Sequence, residues 1–281
     1  MARTSDRRQR QLARQKAQTA ATARQQKARR RTKIAAGGVA AVVVLSTLGA
    51  FLGSMSSTSK SSTPTSTVPT STTLPKSGIT PPAAALGATL TGATPCPAED
   101  GSSARTTTFE TAPPNCIDNT HFYTATITTT RGVLTVQLNP KVSPQTVNTF
   151  VVLARYHYYD GQPITDVRRR ASFTAGMAFI DGSTQPGFTI PGEIPEKGTV
   201  FTPGALSMAP ASASNGIGGQ LVFATFDQAA DNNQRVTPLG IMLSGDTTLT
   251  AINQLASESG KPTALAAITS ISVVRSGAIP T

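Results

Sequence analysis

Few residues of the kinds that carry out chemistry are present in this chain, and their spacing excludes several kinds of site. The sequence has two cysteines, Cys96 and Cys116, and two histidines, His121 and His157. They do not form the closely spaced clusters that bind metal ions, so the sequence predicts neither a metal site nor a cofactor. P-loop, nucleophile-elbow and zinc-protease motifs are missing as well. The glycine cluster at 216–219 precedes a strand-like run instead of a helix, unlike a dinucleotide fingerprint.

The positive charge of the chain is concentrated at its N-terminus. Residues 1–33 contain twelve Lys and Arg and one Asp, a net charge of +11, which equals the formal charge of all 281 residues. The high isoelectric point therefore describes this segment and says nothing about the partners of the rest. We predict a solvated cytoplasmic tail. Nucleic-acid binding is the alternative, but the segment has no aromatic side chain for base stacking, so the prediction is against it.

An uncharged, moderately apolar run of 22 residues, 34–55, follows the basic segment. As a helix it would be about 33 Å long, enough to cross a hydrocarbon core of about 30 Å. Basic residues precede this run and only Lys60 follows closely. The positive-inside rule therefore predicts a single-pass membrane anchor, with a cytoplasmic N-terminus and an extracytoplasmic C-terminal domain. The alternative is a cleaved signal peptide, but the polar segment and the apolar run are both long for one.

Two further segments separate the apolar run from the predicted domain. Residues 56–93 are dominated by Ser, Thr, Pro, Ala and Gly, a composition that predicts an extended, disordered stalk. The next segment, 94–117, contains Cys96 and Cys116 with prolines near both. Outside the cytoplasm, two cysteines 20 residues apart most simply form a disulfide, and a pair of free thiols is the alternative.

Local patterns predict many short strands and two helices between residues 118 and 277. Alternating apolar runs on both sides of Arg131-Gly132 indicate a β-hairpin. Ser143-Pro144 is typical of a helix N-terminus, with Ser143 as the N-cap. The helix would bury a face of residues spaced at i, i+3, i+4 and i+7, namely Val147, Phe150, Val151 and Ala154.

The second helix is predicted after an apolar, strand-like run at 239–243. Asp246 can cap this helix, which would be stopped at Gly260. Its inward-facing residues would be Leu249, Ile252 and Leu255. One helix early and one late among short strands predict a mainly β fold, a closed barrel capped by helices.

Several segments, taken in order, resemble the cyclophilins, a family of peptidyl-prolyl cis-trans isomerases. The most extensive is SPQTVNTFVVLARYHYYDG at 143–161, which resembles the first cyclophilin helix. The later matches are PGFTIPGE (186–193), GALSMA (204–209), GGQLVF (218–223) and LGIMLSGDTTLTAINQL (239–255). The Cys-containing segment 94–118 is similar to the lead-in of membrane-anchored bacterial cyclophilins. The resemblance covers about residues 94–275 and implies an eight-stranded barrel that acts on X-Pro bonds.

The resemblance also assigns the site positions, and many of them carry a different residue type here. Cyclophilins use an arginine, two pocket residues and a glutamine in the interval after Tyr-Tyr-Asp-Gly, and the gapless alignment places Asp166, Ala171, Ser172 and Thr174 there. Pro210 replaces an asparagine that binds the peptide backbone. The remaining peptide-binding positions are Met208 and Ala209, which match the family, Gln220, which matches its second glutamine, and Val222, which replaces a phenylalanine. In a shifted register, Arg168 would be the catalytic arginine instead.

These substitutions leave two functional hypotheses of different classes. The first is an extracytoplasmic, membrane-anchored isomerase of envelope or secreted proteins whose activity is weak or lost. The second is a non-catalytic module that binds a proline-containing polypeptide or an envelope protein. A structural spacer at the cell surface is a third alternative, and it predicts no ligand. Whether the chain is an enzyme stays open at this point, because fold alone does not determine function.

Overall fold

The computed structural model describes residues 74–176, 179–180, 186–196, 198–210, 216–229 and 236–280. Within them are two helices, α1 (Pro144–Arg155) and α2 (Asp246–Asn253). The strands are β1 (Ala88–Leu90), β2 (Thr106–Phe109), β3 (His121–Thr129), β4 (Gly132–Leu138), β5 (Ile164–Arg168), β6 (Ser172–Ala175), β7 (Ile190–Pro191), β8 (Val200–Phe201), β9 (Ala205–Pro210), β10 (Gly216–Ala224), β11 (Gln228–Ala229), β12 (Thr237–Ser244) and β13 (Ile268–Ala278).

The main sheet is a run of eight strands in the order β13-β3-β4-β12-β9-β10-β6-β5, with β7 added beside β10. Its first and last strands approach each other near a bridge between Pro163 and Ala267. Next to the bridge, the Ile164 N–H donates to the Ala266 carbonyl at 2.9 Å. The prediction of a mainly β fold with two helices is confirmed. The described residues, however, show a run of strands whose ends meet at a short bridge, without the continuous ladder of the predicted closed barrel.

The β3–β4 hairpin forms as its alternating pattern predicts. Inward-facing Tyr123, Ala125 and Ile127 of β3 are buried, while the threonines between them lie at the surface. The turn passes through Gly132 at φ +128°, a region that favours glycine. The hairpin supplies two central strands of the sheet and one wall of the core.

Helix α1 begins at Pro144 with Ser143 as its N-cap residue, as predicted, and packs the predicted apolar face into the core. Val147, Phe150, Val151 and Ala154 are buried. The Ser143 side chain makes no cap hydrogen bond, however, and its hydroxyl donates to the Pro238 carbonyl. The cap hydrogen bonds come from Glu193 instead: its carboxylate accepts from the Gln145 and Thr146 N–H groups at 3.1 and 2.9 Å. A carboxylate at this end also interacts favourably with the helix dipole.

Helix α2 differs from the prediction at both ends. Asp246 is the first helical residue, it makes no side-chain cap, and the preceding Gly245 is the N-cap. The helix ends at Asn253, well before Gly260. The predicted inward residues Leu249, Ile252 and Leu255 are buried. Gly260 lies at φ +83° in the loop that follows.

The disulfide is confirmed, and the segment that contains it packs on the domain. Cys96 and Cys116 are bonded, with an S–S distance of 2.10 Å and a Cα–Cα distance of 5.4 Å. Asn148 of α1 joins this segment to the helix, since its side chain accepts from the Cys116 N–H at 2.7 Å and donates to the Pro114 carbonyl at 2.8 Å. Phe109 of β2 is buried, and its ring contacts Tyr156 edge-on.

The predicted stalk does not extend as far as its composition suggested. Residues 74–93 lie along the domain: Ala84 is buried, the Ile79 N–H donates to the Pro262 carbonyl at 2.7 Å, and β1 pairs with β2 in parallel. The predicted tail at 1–33, the membrane segment at 34–55 and stalk residues 56–73 lie outside the described residues. In the described part of the chain, neither helix is long and apolar enough to cross a membrane.

Candidate functional site

The candidate site is the outward face of strands β5, β6, β10 and β9. On their inward face, Val167, Phe173, Phe223 and Leu206 are buried in register, and the two phenylalanine rings stack at 4.7 Å. Because side chains alternate along a strand, the residues one position away lie on the opposite face. That outward row is formed by Asp166, Thr174, Val222 and Ser207, which pair directly across the four strands. We call it the Asp166 row. Asp166 and Val222 are half-buried, whereas Thr174 and Ser207 are buried.

Asp166 is held at the edge of this row by contacts on two sides. Its Oδ2 accepts a hydrogen bond of 2.8 Å from Arg168 Nε, two residues along the same strand. Its Oδ1 is buried without a hydrogen-bond partner and lies against Gly260, where an added Cβ would collide with it. The adjacent Val167 N–H donates to the Gly260 carbonyl at 2.7 Å. The position of the carboxylate therefore depends on a glycine in the loop after α2.

Three arginines follow one another where β5 ends, with Arg168 as the last residue of the strand and Arg169 and Arg170 in the turn to β6. The turn is attached to the neighbouring segment. The carbonyl of Ala171 accepts from the Thr225 N–H at 2.8 Å and from the Gln228 side chain. Arg170 lies at φ +54°, and its guanidinium is 4.7 Å from the centre of the Phe226 ring. The turn therefore has a defined conformation at the end of the Asp166 row.

The predicted peptide-binding residues do not all lie on this face. Met208 is fully buried opposite Leu221, so the structure places it in the core and corrects its predicted role in contacting a peptide. Val222 and Gln220 are half-buried and two residues apart on the same strand, which gives them the same face. Ala209 is nearly buried, at 9% exposure. The pairing of β9 with β10 is irregular between Ile217 and Leu221, next to Gln220.

The structure therefore assembles part of the predicted site. It brings together Asp166, Thr174, Val222 and Gln220, and it adds Ser207 and Gly260, which the sequence did not indicate. Ser207 lies within a matched segment, but only the strand register shows that it shares a row with Asp166. Among the described residues, no group of three or more His, Cys, Asp and Glu side chains is arranged to hold a metal ion.

Comparison with known proteins identifies the family. A family model described as cyclophilin type peptidyl-prolyl cis-trans isomerase/CLD matches residues 124–273, just over half of the chain and all of the strands in the Asp166 row. The chain belongs to this family. No curated protein matches the chain.

Solved structures of a cyclophilin from Cryptosporidium parvum are similar to this chain. One structure of that cyclophilin type peptidyl-prolyl cis-trans isomerase shares 21% identity, covers 55% of this chain and 98% of its own, and has a TM-score of 0.46. A second, determined in the presence of the dipeptide Ala-Pro, shares 23% identity with coverages of 54% and 98% and a TM-score of 0.47.

The strand register decides which residues meet on the face of this cyclophilin domain. The sequence resemblance assigns the family's arginine and glutamine to Asp166 and Thr174, and these two residues are paired across β5 and β6. Arg168, the candidate in a shifted register, pairs instead with Ser172. Thr174 therefore lies opposite Asp166 and not opposite Arg168.

Proposed function

We propose that this cyclophilin domain binds proline-containing polypeptide at the Asp166 row and isomerises X-Pro bonds at least about a hundredfold more slowly than an ordinary cyclophilin. The observation that carries the proposal is the pairing of Asp166 with Thr174 on the outward face. By the family resemblance, these positions hold the catalytic arginine and its neighbouring glutamine. The class of reaction is that of the family, and the low rate follows from the residues present.

The physical argument concerns the barrier to rotation about the X-Pro bond. Amide resonance sets this barrier at about 20 kcal/mol, and a hydrogen-bond donor directed at the prolyl nitrogen lowers it by weakening the resonance. An ionised carboxylate has no proton to donate and repels the developing lone pair. Loss of one preorganised donor typically costs about 10²–10³ in rate. At Ala171, moreover, a methyl group cannot supply the wall that a phenylalanine gives to a proline pocket.

A non-catalytic peptide-binding module is the second candidate function. Half-buried Val222 and Gln220 lie on the same face, and they offer an apolar contact and an amide that can bind a peptide backbone. Binding needs these groups but does not need a donor at the prolyl nitrogen. The two functions therefore differ in turnover and share the same surface.

An isomerisation assay on the purified domain, by protease coupling or NMR exchange, distinguishes them. We expect slow wild-type turnover and no full recovery in Asp166→Arg, because the pocket and glutamine positions also differ. Robust wild-type turnover that disappears in Arg168→Ala would contradict the proposal and assign catalysis to Arg168. Peptide binding without any turnover would favour the non-catalytic module.

We further propose that the domain is extracytoplasmic, anchored through residues 34–55, and acts on envelope or secreted proteins. The charge distribution along the sequence supports this topology, and the Cys96–Cys116 disulfide is typical of an oxidising compartment. Protease added to intact cells should remove the domain and spare the basic tail. Protection of the domain from protease would contradict the proposed topology.

A further inference from the structure

Arg168 presents a positioned guanidinium beside the Asp166 row. It lies on the same face of β5 as Asp166, one residue pair further along, or roughly 7 Å away. Its Nε is engaged with the Asp166 carboxylate at 2.8 Å, yet its side chain is 61% exposed. Asp166 is in turn held against Gly260. The carboxylate therefore orients the guanidinium and leaves much of it accessible to a ligand.

The other two arginines of the turn are directed elsewhere. Arg170 stacks over the Phe226 ring, and Arg169 lines a cavity with Asn253 and Gln254 of the α2 region. Even so, all three contribute charge: residues 166–170 contain three arginines and one aspartate, a net charge of +2. A positive field at one end of a peptide-binding face favours acidic ligands and disfavours basic ones.

We infer that Arg168 is a specificity-determining residue that binds the carboxylate of an acidic side chain within two residues of the proline of a bound peptide. This inference rests on the proposed function, since it requires a peptide at the Asp166 row. An Arg guanidinium has several N–H donors in a planar fork, so a second carboxylate can bind while Nε remains bonded to Asp166. Asp166 thereby acts as a positioning residue for Arg168.

NMR titration of the domain with capped Ala-Glu-Pro-Phe, Ala-Ala-Pro-Phe and Ala-Lys-Pro-Phe peptides tests the inference. A second set carries the variable residue two positions before the proline. We expect the glutamate peptide to bind about fivefold more tightly than the alanine peptide at low salt, the upper size for an exposed ion pair. The preference should decline toward 1 M salt, where charges are screened over about 3 Å. Acetate at equal concentration controls for a nonspecific effect of anions.

Variants matched in charge locate the effect. Arg168→Gln should bring the glutamate-to-alanine affinity ratio close to one, whereas Arg170→Gln, which removes the same charge from the same turn, should leave most of the preference. Arg168→Lys should retain only part of it, because an ammonium lacks the planar fork. A preference that survives in Arg168→Gln, or equal affinities in the wild type, would overturn the inference alone. Failure of every peptide to bind would instead overturn the proposed function.

Discussion

The two faces of the β5–β6 hairpin differ in what they contact. On the inward face, Val167 and Phe173 are buried, and the Phe173 ring stacks on Phe223 of β10, in a space that apolar groups of similar volume fill best. On the outward face, Asp166 and Thr174 lie next to an exposed arginine. The inward residues maintain the packed core, while packing constrains the half-buried outward residues Asp166 and Ser172 less. The same twelve residues of strand and turn, 164–175, therefore combine a fold-determining face with a face whose residue types the fold determines less strictly.

The largest expected difference between the two faces is in stability. Phe173→Ala should lower the free energy of unfolding by about 4 kcal/mol, because it leaves a cavity and removes the stacked contact with Phe223. Ser172→Ala is the matched variant at a half-buried position on the outward face of the same strand, and we expect a loss below about 1 kcal/mol. Chemical denaturation of both variants measures the contrast. Equal losses would show that the outward face is also required for the fold.

The inward face was largely predictable from sequence because its constraints are local. The i, i+3, i+4, i+7 spacing predicted the buried side of α1, and alternation predicted the β3–β4 hairpin. The N-cap residue Ser143 was predicted, but the carboxylate that binds the first N–H groups of the helix was not, since Glu193 lies 47 residues from the Thr146 N–H that it binds. Composition alone also placed residues 74–93 in the stalk, although they pack on the domain.

The outward face was predictable only through family resemblance, and only in part. The resemblance assigned Asp166 and Thr174 to the site, and the structure shows that the two residues are paired. Alignment could not show that Met208 points into the core, because its orientation depends on the register between β9 and β10. Nor could it show that Gly260, taken as a helix stop, supports the Asp166 carboxylate. Such contacts join positions far apart in sequence, so a local sequence pattern cannot predict them.

An intermediate effect would test whether the Asp166 carboxylate is held as described. Gly260→Ala should cost about 2 kcal/mol, since it forces a left-handed backbone on alanine and places a methyl group against Asp166 Oδ1. Gly92→Ala is the control, because Gly92 has φ +79° but an added Cβ there would meet nothing within 4 Å. Asp166→Ala should relieve part of the Gly260→Ala cost. Additive losses in that double variant would contradict the proposed contact.

The smallest expected effect concerns the hydroxyl groups of two tyrosines that follow helix α1. The hydroxyl of Tyr159 is buried without a hydrogen-bond partner, and burial raises the pKa of this phenol well above its ordinary value of 10.0. Tyr159→Phe should therefore stabilise the domain slightly, by up to about 1 kcal/mol, because an unpaired polar group is removed. Tyr156→Phe is the control: its hydroxyl donates to the Pro95 carbonyl at 2.9 Å, so its removal should destabilise by about 1 kcal/mol.

The raised pKa of Tyr159 also predicts how stability depends on pH. Its pKa is higher in the folded state than in the unfolded state, so the unfolded state releases this proton first as the pH rises. The contribution is fully present below about pH 10 and is lost above it, as the pH rises toward the folded-state pKa. Tyr159→Phe should reduce this alkaline decline in the free energy of unfolding, although buried Tyr158, whose pKa burial also raises, retains its own share. Denaturation curves between pH 8 and about pH 11 measure the slope. A slope that is the same in wild type and variant would mean that the Tyr159 hydroxyl already reaches a partner or solvent in the folded domain.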